Sequence, residues 1–320
     1  IMENAEGGNQ TPIVELILVG FGNGPELQPL LFLLFLVIYL VAVAGNLLIV
    51  VLVVADRHLH TPMYYFVANL SSVEICYVST TLPRLLASLV TGHRNISLQN
   101  CIVQFHFYVI LSTAECQLLT AMCCDRYLAI CHPLRYPALM NGRVCCHMVA
   151  WAWIIAILYS IMLEMLILQL TYCGPKEFDH FFCDFAPINP FCGNADILAM
   201  GTNYVSIILT IMNFLLSLAS YTCIIISILR INSSTGRQKA FSTCSSHLIV
   251  VAVYNVCIII TYVVPEFNPP PLLYKTLSVL YGILVPLLNP VLYSLRNKEV
   301  NQALRTAIEK LAAFRHRHGV

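Results

Sequence analysis

Charge is what this chain of 320 residues has least of: Asp, Glu, Lys and Arg make up 10% of it, against 58% hydrophobic residues. That balance lies outside the range of ordinary soluble domains. With 17 Lys and Arg against 16 Asp and Glu, the formal charge is +1. There is no basic excess to hold nucleic acid and no acidic excess to keep a tail disordered. The spacings that announce enzyme chemistry are missing too. The chain holds no His-Glu-x-x-His, no P-loop, no Gly-x-Ser-x-Gly and no Gly-x-Gly-x-x-Gly, so neither catalysis nor an organic cofactor is expected. No basic segment with a cleavage site precedes the first apolar run, which is therefore expected to act as its own signal anchor.

What the chain has is long apolar runs. Roughly 20 residues cross the hydrocarbon of a bilayer as a helix, and seven runs qualify, near 27–55, 62–90, 98–131, 143–170, 197–229, 240–264 and 272–295. They lack the alternation of a membrane barrel, and only helices or closed barrels satisfy the backbone in lipid. The expectation is an all-α membrane protein, a bundle of seven transmembrane helices. Arg84, Arg94, Lys176 and Lys275 fall on the side of the N-terminus and the other Lys and Arg with the C-terminus, which sets the N-terminus outside. The chain thus divides into an outer tail (1–26), a membrane domain (27–295) and a cytoplasmic tail (296–320). In the last, Val300, Leu304, Ile308 and Leu311 recur at helical spacing among Arg305, Lys310, Arg315 and Arg317. That pattern predicts a short amphipathic helix against membrane lipid.

On this topology the Asn9 and Asn95 sequons lie outside, where glycans are added. Four of the 14 cysteines also lie outside, Cys101, Cys173, Cys183 and Cys192. An even number in an oxidising compartment predicts two bridges, with three pairings open. The other cysteines read as small buried hydrophobes.

Two constellations carry mechanism. Asp125-Arg126-Tyr127 ends the third span, and Asn289-Pro290 with Tyr293 lies near the cytoplasmic end of the seventh. An Asp beside an Arg at a helix end can hold that Arg while the bundle is closed, and a mid-helix Pro permits a swivel. In a seven-span chain these motifs resemble the rhodopsin-like (class A) G-protein-coupled receptors. Four longer strings narrow the resemblance: Leu59-His60-Thr61-Pro62-Met63-Tyr64-Tyr65-Phe66; Asp125-Arg126-Tyr127 running on through Ala129-Ile130-Cys131-His132-Pro133 to Arg135-Tyr136; Lys239-Ala240-Phe241-Ser242-Thr243-Cys244 to His247; and Pro286-Leu287-Leu288-Asn289-Pro290 to Asn297. Together they look like the vertebrate olfactory (odorant) receptors of the tetrapod class II type, along nearly the whole chain.

The resemblance implies that Cys101 pairs with Cys183 and Cys173 with Cys192. It implies that Asp125, Arg126, Tyr127, Tyr221, His247, Asn289, Pro290 and Tyr293 serve coupling and activation. It also implies plasma-membrane residence in the cilia of olfactory neurons, a small volatile ligand, and a stimulatory olfactory-type G protein that raises cyclic AMP. The chain departs from the pattern at Cys123-Cys124, where Ala-Tyr is common, and at Val253-Tyr254-Asn255, where Phe-Tyr-Gly is common; the Cys183 to Cys192 stretch is one residue short. Glu74 and Glu115 fall within spans, where an unpaired charge costs at least about 2.5 kcal/mol. The resemblance places them near Asn46, Ser112 and Asn289, where a sodium ion would sit in the resting state; protonated, hydrogen-bonded carboxyls are the alternative. Glu164, in the outer part of span four, either faces the pocket or snorkels to the interface, and the latter is expected.

In a rhodopsin-like bundle the ligand lies in the outer half. Helical counting predicts Tyr108, Val109, Ser112 and Thr113 of span three, Ser160 of span four, Val205, Ser206 and Leu209 of span five, and Tyr254, Cys257, Ile258 and Thr261 of span six as its lining. Tyr108 stands where amine receptors carry a carboxylate and Ile283 where opsins carry a lysine, so neither a biogenic amine nor retinal is expected. An apolar pocket with a few hydroxyls and a thiol suits a small hydrophobic molecule with one polar group. Span six has no Pro between Ala240 and Val264, and Tyr254 is expected to act as its pivot. Two other readings compete: a receptor for a metabolite outside the nose, and an ion-coupled transporter using Glu74 and Glu115, although no internal repeat supports the latter.

Overall fold

The computed structural model describes residues 15–21, 24, 26–185, 191–192, 195–263, 270–296, 300–306 and 308–309; at 191–192, 195–203, 239, 242–243, 246, 271 and 291–296 it describes the backbone only. The seven runs are seven helical spans: span 1 (Gln28–Ala55), span 2 (Pro62–Thr91), span 3 (Leu98–Cys131), span 4 (Gly142–Ile167), span 5 (Ala195–Leu229), span 6 (Ser234–Ile258 and on through Val263) and span 7 (Pro271–Arg296, in three segments).

Their ends follow from local chemistry. Ser97 Oγ accepts from the Asn100 amide at 3.2 Å, Asn141 Oδ1 from Val144 at 3.1 Å and Ser233 Oγ from Gly236 at 3.2 Å, each satisfying an amide that the first helical turn leaves free. Span 2 stops at Gly92, whose φ of 70° opens a left-handed turn that residues with a Cβ resist. Span 6 begins earlier than the apolar run predicts. Only residues His247–Val263 form its apolar stretch; the polar first half, capped by Ser233, continues the helix beyond the hydrocarbon.

Spans 6 and 7 each contain a π-helical segment, Ile259–Val263 and Leu280–Leu284. The wider turn leaves amides out of the regular ladder and is a known cause of bending. Span 6 thus deviates without a proline.

Span 3 runs through the centre, with Tyr77, Tyr254 and Tyr281 among the largest fully buried side chains around it. Large apolar side chains on the outside, such as Leu33, Leu40, Trp151, Leu158, Ile208 and Leu215, are exposed. So broad an apolar surface is what lipid, not water, would cover. Gly45 lets span 1 meet span 7: a Cβ there would lie 3.0 Å from Pro290 Cβ.

A small cap, which the helical pattern does not predict, closes one end. Strand β1 (Glu15–Leu18) lies between β2 (Asn95–Ser97), antiparallel, and β4 (Glu177–Phe178), parallel. In β1, Leu16 and Leu18 are buried, while β3 (Thr171–Tyr172) pairs with β5 (Phe191–Cys192) in a second ladder. Lys275 Nζ ties span 7 to this cap, 2.6 Å from Asp179 Oδ1 and 2.7 Å from the Gly20 carbonyl. The Cys101–Cys183 disulfide, with Cα atoms 5.4 Å apart, draws the loop over span 3. Cys173 is also disulfide-bonded; β5 sets Cys192 opposite Thr171, but its side chain lies outside the described residues. Asn95 sits in β2 with its side chain exposed, while Asn9 lies outside the described residues.

At the opposite end helix resumes over residues 300–306, with Val300 and Ala303 buried and Ile308 exposed. Leu304 packs beside them, and the rest of the expected amphipathic segment lies outside the described residues.

Candidate functional site

A cavity of about 110 Å³ opens in the half of the bundle nearest the cap. Eight of the twelve side chains expected from helical counting line it: Tyr108, Val109, Ser112, Thr113, Ser206, Leu209, Tyr254 and Ile258. Four lie elsewhere, for separate reasons. Ser160 turns to span 3, donating to the His106 carbonyl at 3.0 Å with its Oγ 2.9 Å from His106 Nδ1. Val205 is exposed on the outer surface of span 5. Cys257 and Thr261 are buried against neighbouring helices, and at Thr261 the π-helical segment has shifted the face that regular counting assumes.

Sequence reasoning missed Phe105, Cys116, Gln117, Tyr159, Leu163, Thr210, Asn213, Tyr262 and Asp184. Phe105, Cys116, Thr210 and Asn213 extend the same helical faces by a turn and were within reach of the counting. Asp184 was not, because nothing in a helical period locates a loop residue.

Asp184 is fully buried and its Oδ2 accepts from Tyr262 at 2.5 Å and from Tyr274. Tyr262 and Tyr281 each meet the Tyr108 hydroxyl, at 2.6 and 2.7 Å, and each other at 2.9 Å. The cavity thus has an apolar body and one polar end, where a loop carboxylate gathers hydroxyls from spans 3, 6 and 7. Lower down, Tyr254 donates to the Ser112 carbonyl at 2.8 Å, joining span 6 to span 3 next to the cavity.

Glu164 lines no part of the cavity. Its Oε2 lies 3.0 Å from His106 Nδ1, so it pairs with span 3 instead of snorkelling alone.

In the core beneath, Asn289 Nδ2 donates to Glu74 Oε1, and Asn46 Nδ2 donates to the Pro286 carbonyl at 3.0 Å. Asn46 Oδ1, Glu74 Oε2, both Glu115 oxygens and Asn289 Oδ1 are buried without a hydrogen-bond partner. Ser112, expected in this cluster, faces the cavity instead. Among the described residues no group of three or more His, Cys, Asp or Glu side chains could hold a metal ion.

At the cytoplasmic end Asp125 Oδ2 lies 3.0 Å from Arg126 Nε and 2.6 Å from its Nη2. Tyr136, from the short helix Tyr136–Leu139, donates to Asp125 Oδ1 at 2.8 Å. Both carboxylate oxygens are engaged, and Asp125 is fully buried. On the facing helices Tyr221 meets His247 Nδ1; Tyr127 instead lies 3.1 Å from His132 Nε2. The Tyr293 side chain lies outside the described residues.

A family model described as olfactory receptor matches residues 35–310. The chain belongs to the olfactory receptor family. Human olfactory receptor 10C1 is 43% identical over 303 residues, covering 94% of this chain and 97% of that one. Human olfactory receptor 10A7 is 42% identical, covering 94% and 95%. The crystal structure of squid rhodopsin shares the fold at 16% identity, with a TM-score of 0.70 over 90% of this chain and 87% of that one. This olfactory receptor is thus a rhodopsin-like G-protein-coupled receptor of the plasma membrane, not an enzyme. The transporter reading falls with that assignment.

Proposed function

We propose that this receptor binds a small, mostly apolar volatile molecule in the outer cavity and, when bound, activates a stimulatory G protein of the olfactory type, raising cyclic AMP. The observation that carries the reading is the pairing of a cavity roofed by Asp184 with a closed Asp125–Arg126–Tyr136 cluster, joined through spans 3 and 6. A ligand that bonds to the tyrosines around Asp184 competes with contacts that tie span 6 to the loop and span 3. A ligand binding better to the arrangement with span 6 displaced shifts the population by that difference in affinity. Displacing span 6 uncovers Arg126 for the α-subunit. A ligand of about ten atoms gaining roughly 0.8 kcal/mol each, between the ~0.3 and ~1.5 kcal/mol per atom of large and very small ligands, reaches about 8 kcal/mol, which is micromolar affinity. Ligand-dependent nucleotide exchange on a purified stimulatory α-subunit tests the reading; a receptor that never promotes exchange would overturn it. A metabolite outside the nose would meet the same cavity, and nothing in the cavity favours it over an odorant.

We further propose that the resting receptor holds a sodium ion between Glu74 and Glu115. Five buried oxygens without partners, from Asn46, Glu74, Glu115 and Asn289, form an all-oxygen donor set that suits a hard cation. Replacing sodium by an organic cation should raise basal exchange severalfold in the wild type and leave Glu115→Gln unchanged. An equal response in both would assign the carboxyls to protonated hydrogen-bonding roles.

A further inference from the structure

Among the described residues, Phe182, Cys183, Asp184 and Phe185 are all buried on the cap side of the cavity, held by the disulfide to Cys101 and by the tyrosines on Asp184, next to a strand that pairs with β1. A molecule entering from water would have to break several of these contacts together. The flank is different. Spans 4 and 5 each pack along span 3 but make little direct contact with one another along the described residues. The cavity residues on this side, Thr113, Gln117, Tyr159, Leu163, Ser206 and Thr210, are half-buried, whereas those towards the core, such as Tyr108 and Tyr254, are buried. A hydrogen bond between Tyr159 and Ser206 bridges the gap.

We propose that ligands enter and leave from the outer leaflet, between spans 4 and 5, with the Tyr159–Ser206 pair as the gate. This deepens the functional reading above and rests on it for the identity of the natural ligand. It also names a selection rule. Each methylene transferred from water to lipid favours the bilayer roughly fourfold, from about 0.8 kcal/mol per group, so uncharged apolar molecules are concentrated at the gate. Permanently charged ones are excluded before the cavity is reached. Polar Thr113, Gln117 and Thr210 on the path allow a single hydroxyl or carbonyl to pass without leaving its hydrogen bond unmade.

Cys116 lines the cavity with a free thiol and reports entry without any odorant. Full-length receptor in lipid vesicles would be treated with benzyl methanethiosulfonate, which dissolves in lipid, or with its trimethylammonium-ethyl analogue, which does not. Modification of Cys116 would be followed by peptide mass spectrometry. The benzyl reagent should label Cys116 at least tenfold faster than the charged one. Tyr159→Phe, which removes the latch, should speed labelling severalfold; Ser206→Trp should slow it; Lys275→Ala, which loosens the cap, should leave it unchanged. Equal rates for the two reagents, or acceleration by Lys275→Ala with no effect of Tyr159→Phe, would place the entrance at the cap and overturn the proposal. The conservative Tyr159→Phe keeps the test valid if Ser206→Trp fails to fold. Because no odorant is used, a receptor silent to every volatile would count against the functional reading while this result stood by itself.

Discussion

Asp184 shows how much one carboxylate decides. It is fully buried and accepts from two tyrosines. Hydrogen bonds to a charged acceptor are worth about 1.5 to 3 kcal/mol, roughly twice a neutral pair. Asp184→Asn keeps the shape but offers a weaker acceptor and adds donors facing hydroxyls that already donate. The expected outcome is thermal stability reduced by about 1 to 2 kcal/mol and basal exchange raised, since the contact restrains span 6. Measured melting and basal exchange equal to wild type would show that the tyrosines hold the roof without the carboxylate. This residue was not legible in the sequence, whereas Asp125, Arg126, Asn289 and Pro290 were. The difference is physical: those motifs are contiguous strings whose local chemistry and family resemblance can be read directly, while a loop residue reaches the cavity only through a disulfide that folds it over span 3. Ser160 and Glu164 show the converse. Ser160 was expected to line the pocket and Glu164 to snorkel to the interface, but both meet His106, because an intramembrane polar group takes the partner it can reach.

At the scale of elements, the helices were legible because bilayer crossing demands long apolar runs that no other constraint produces in a soluble chain. The cap was not. Its strands are two to four residues long and pair across wide separations, as Leu16 does with Ile96 and Leu18 with Phe178, leaving no alternating pattern long enough to read. The π-helical segments were equally hidden, because one extra residue per turn leaves composition unchanged. The cap has its own pH dependence through His180 in the loop, fully buried between Phe181, Phe182 and Tyr274. Burial first, and then the nearby Lys275 ammonium, push its pKa from 6.5 down to about 3. A His with a depressed folded value binds its proton more readily when the cap opens. Stability is therefore complete above about pH 6.5 and is lost as pH falls towards 3. Between pH 7 and 5.5 the cap should lose about 1 kcal/mol, seen as amide protection factors in β1 and β4, corrected for the slower intrinsic exchange at acid pH, that fall about fivefold, and His180→Phe should remove that dependence. An acid-induced fall in protection that persists in His180→Phe would assign the effect to other groups.

In the whole molecule, two sites share one frame. Span 3 carries Tyr108 and Ser112 at the cavity and Asp125 with Arg126 at the opposite end, and span 6 meets it through Tyr254. On the proposed function, the cavity without Arg126 would bind silently, and the Arg126 cluster without the cavity would have no input. Membership of the olfactory receptor family was legible from four strings spread along the chain, because contiguous motifs can be read without the fold. The ligand was not, because a small apolar cavity with one polar end accepts many molecules, and a methylene changes selectivity by only about 1 to 3 kcal/mol. The most direct measurement is nucleotide exchange on a stimulatory α-subunit by purified receptor in lipid vesicles, screened against small volatile organics, with wild type beside Arg126→Ala. Exchange should rise with one or more volatiles at micromolar concentration and be lost in Arg126→Ala while ligand binding is retained. Binding without exchange in the wild type, or exchange undiminished in Arg126→Ala, would contradict the proposed function.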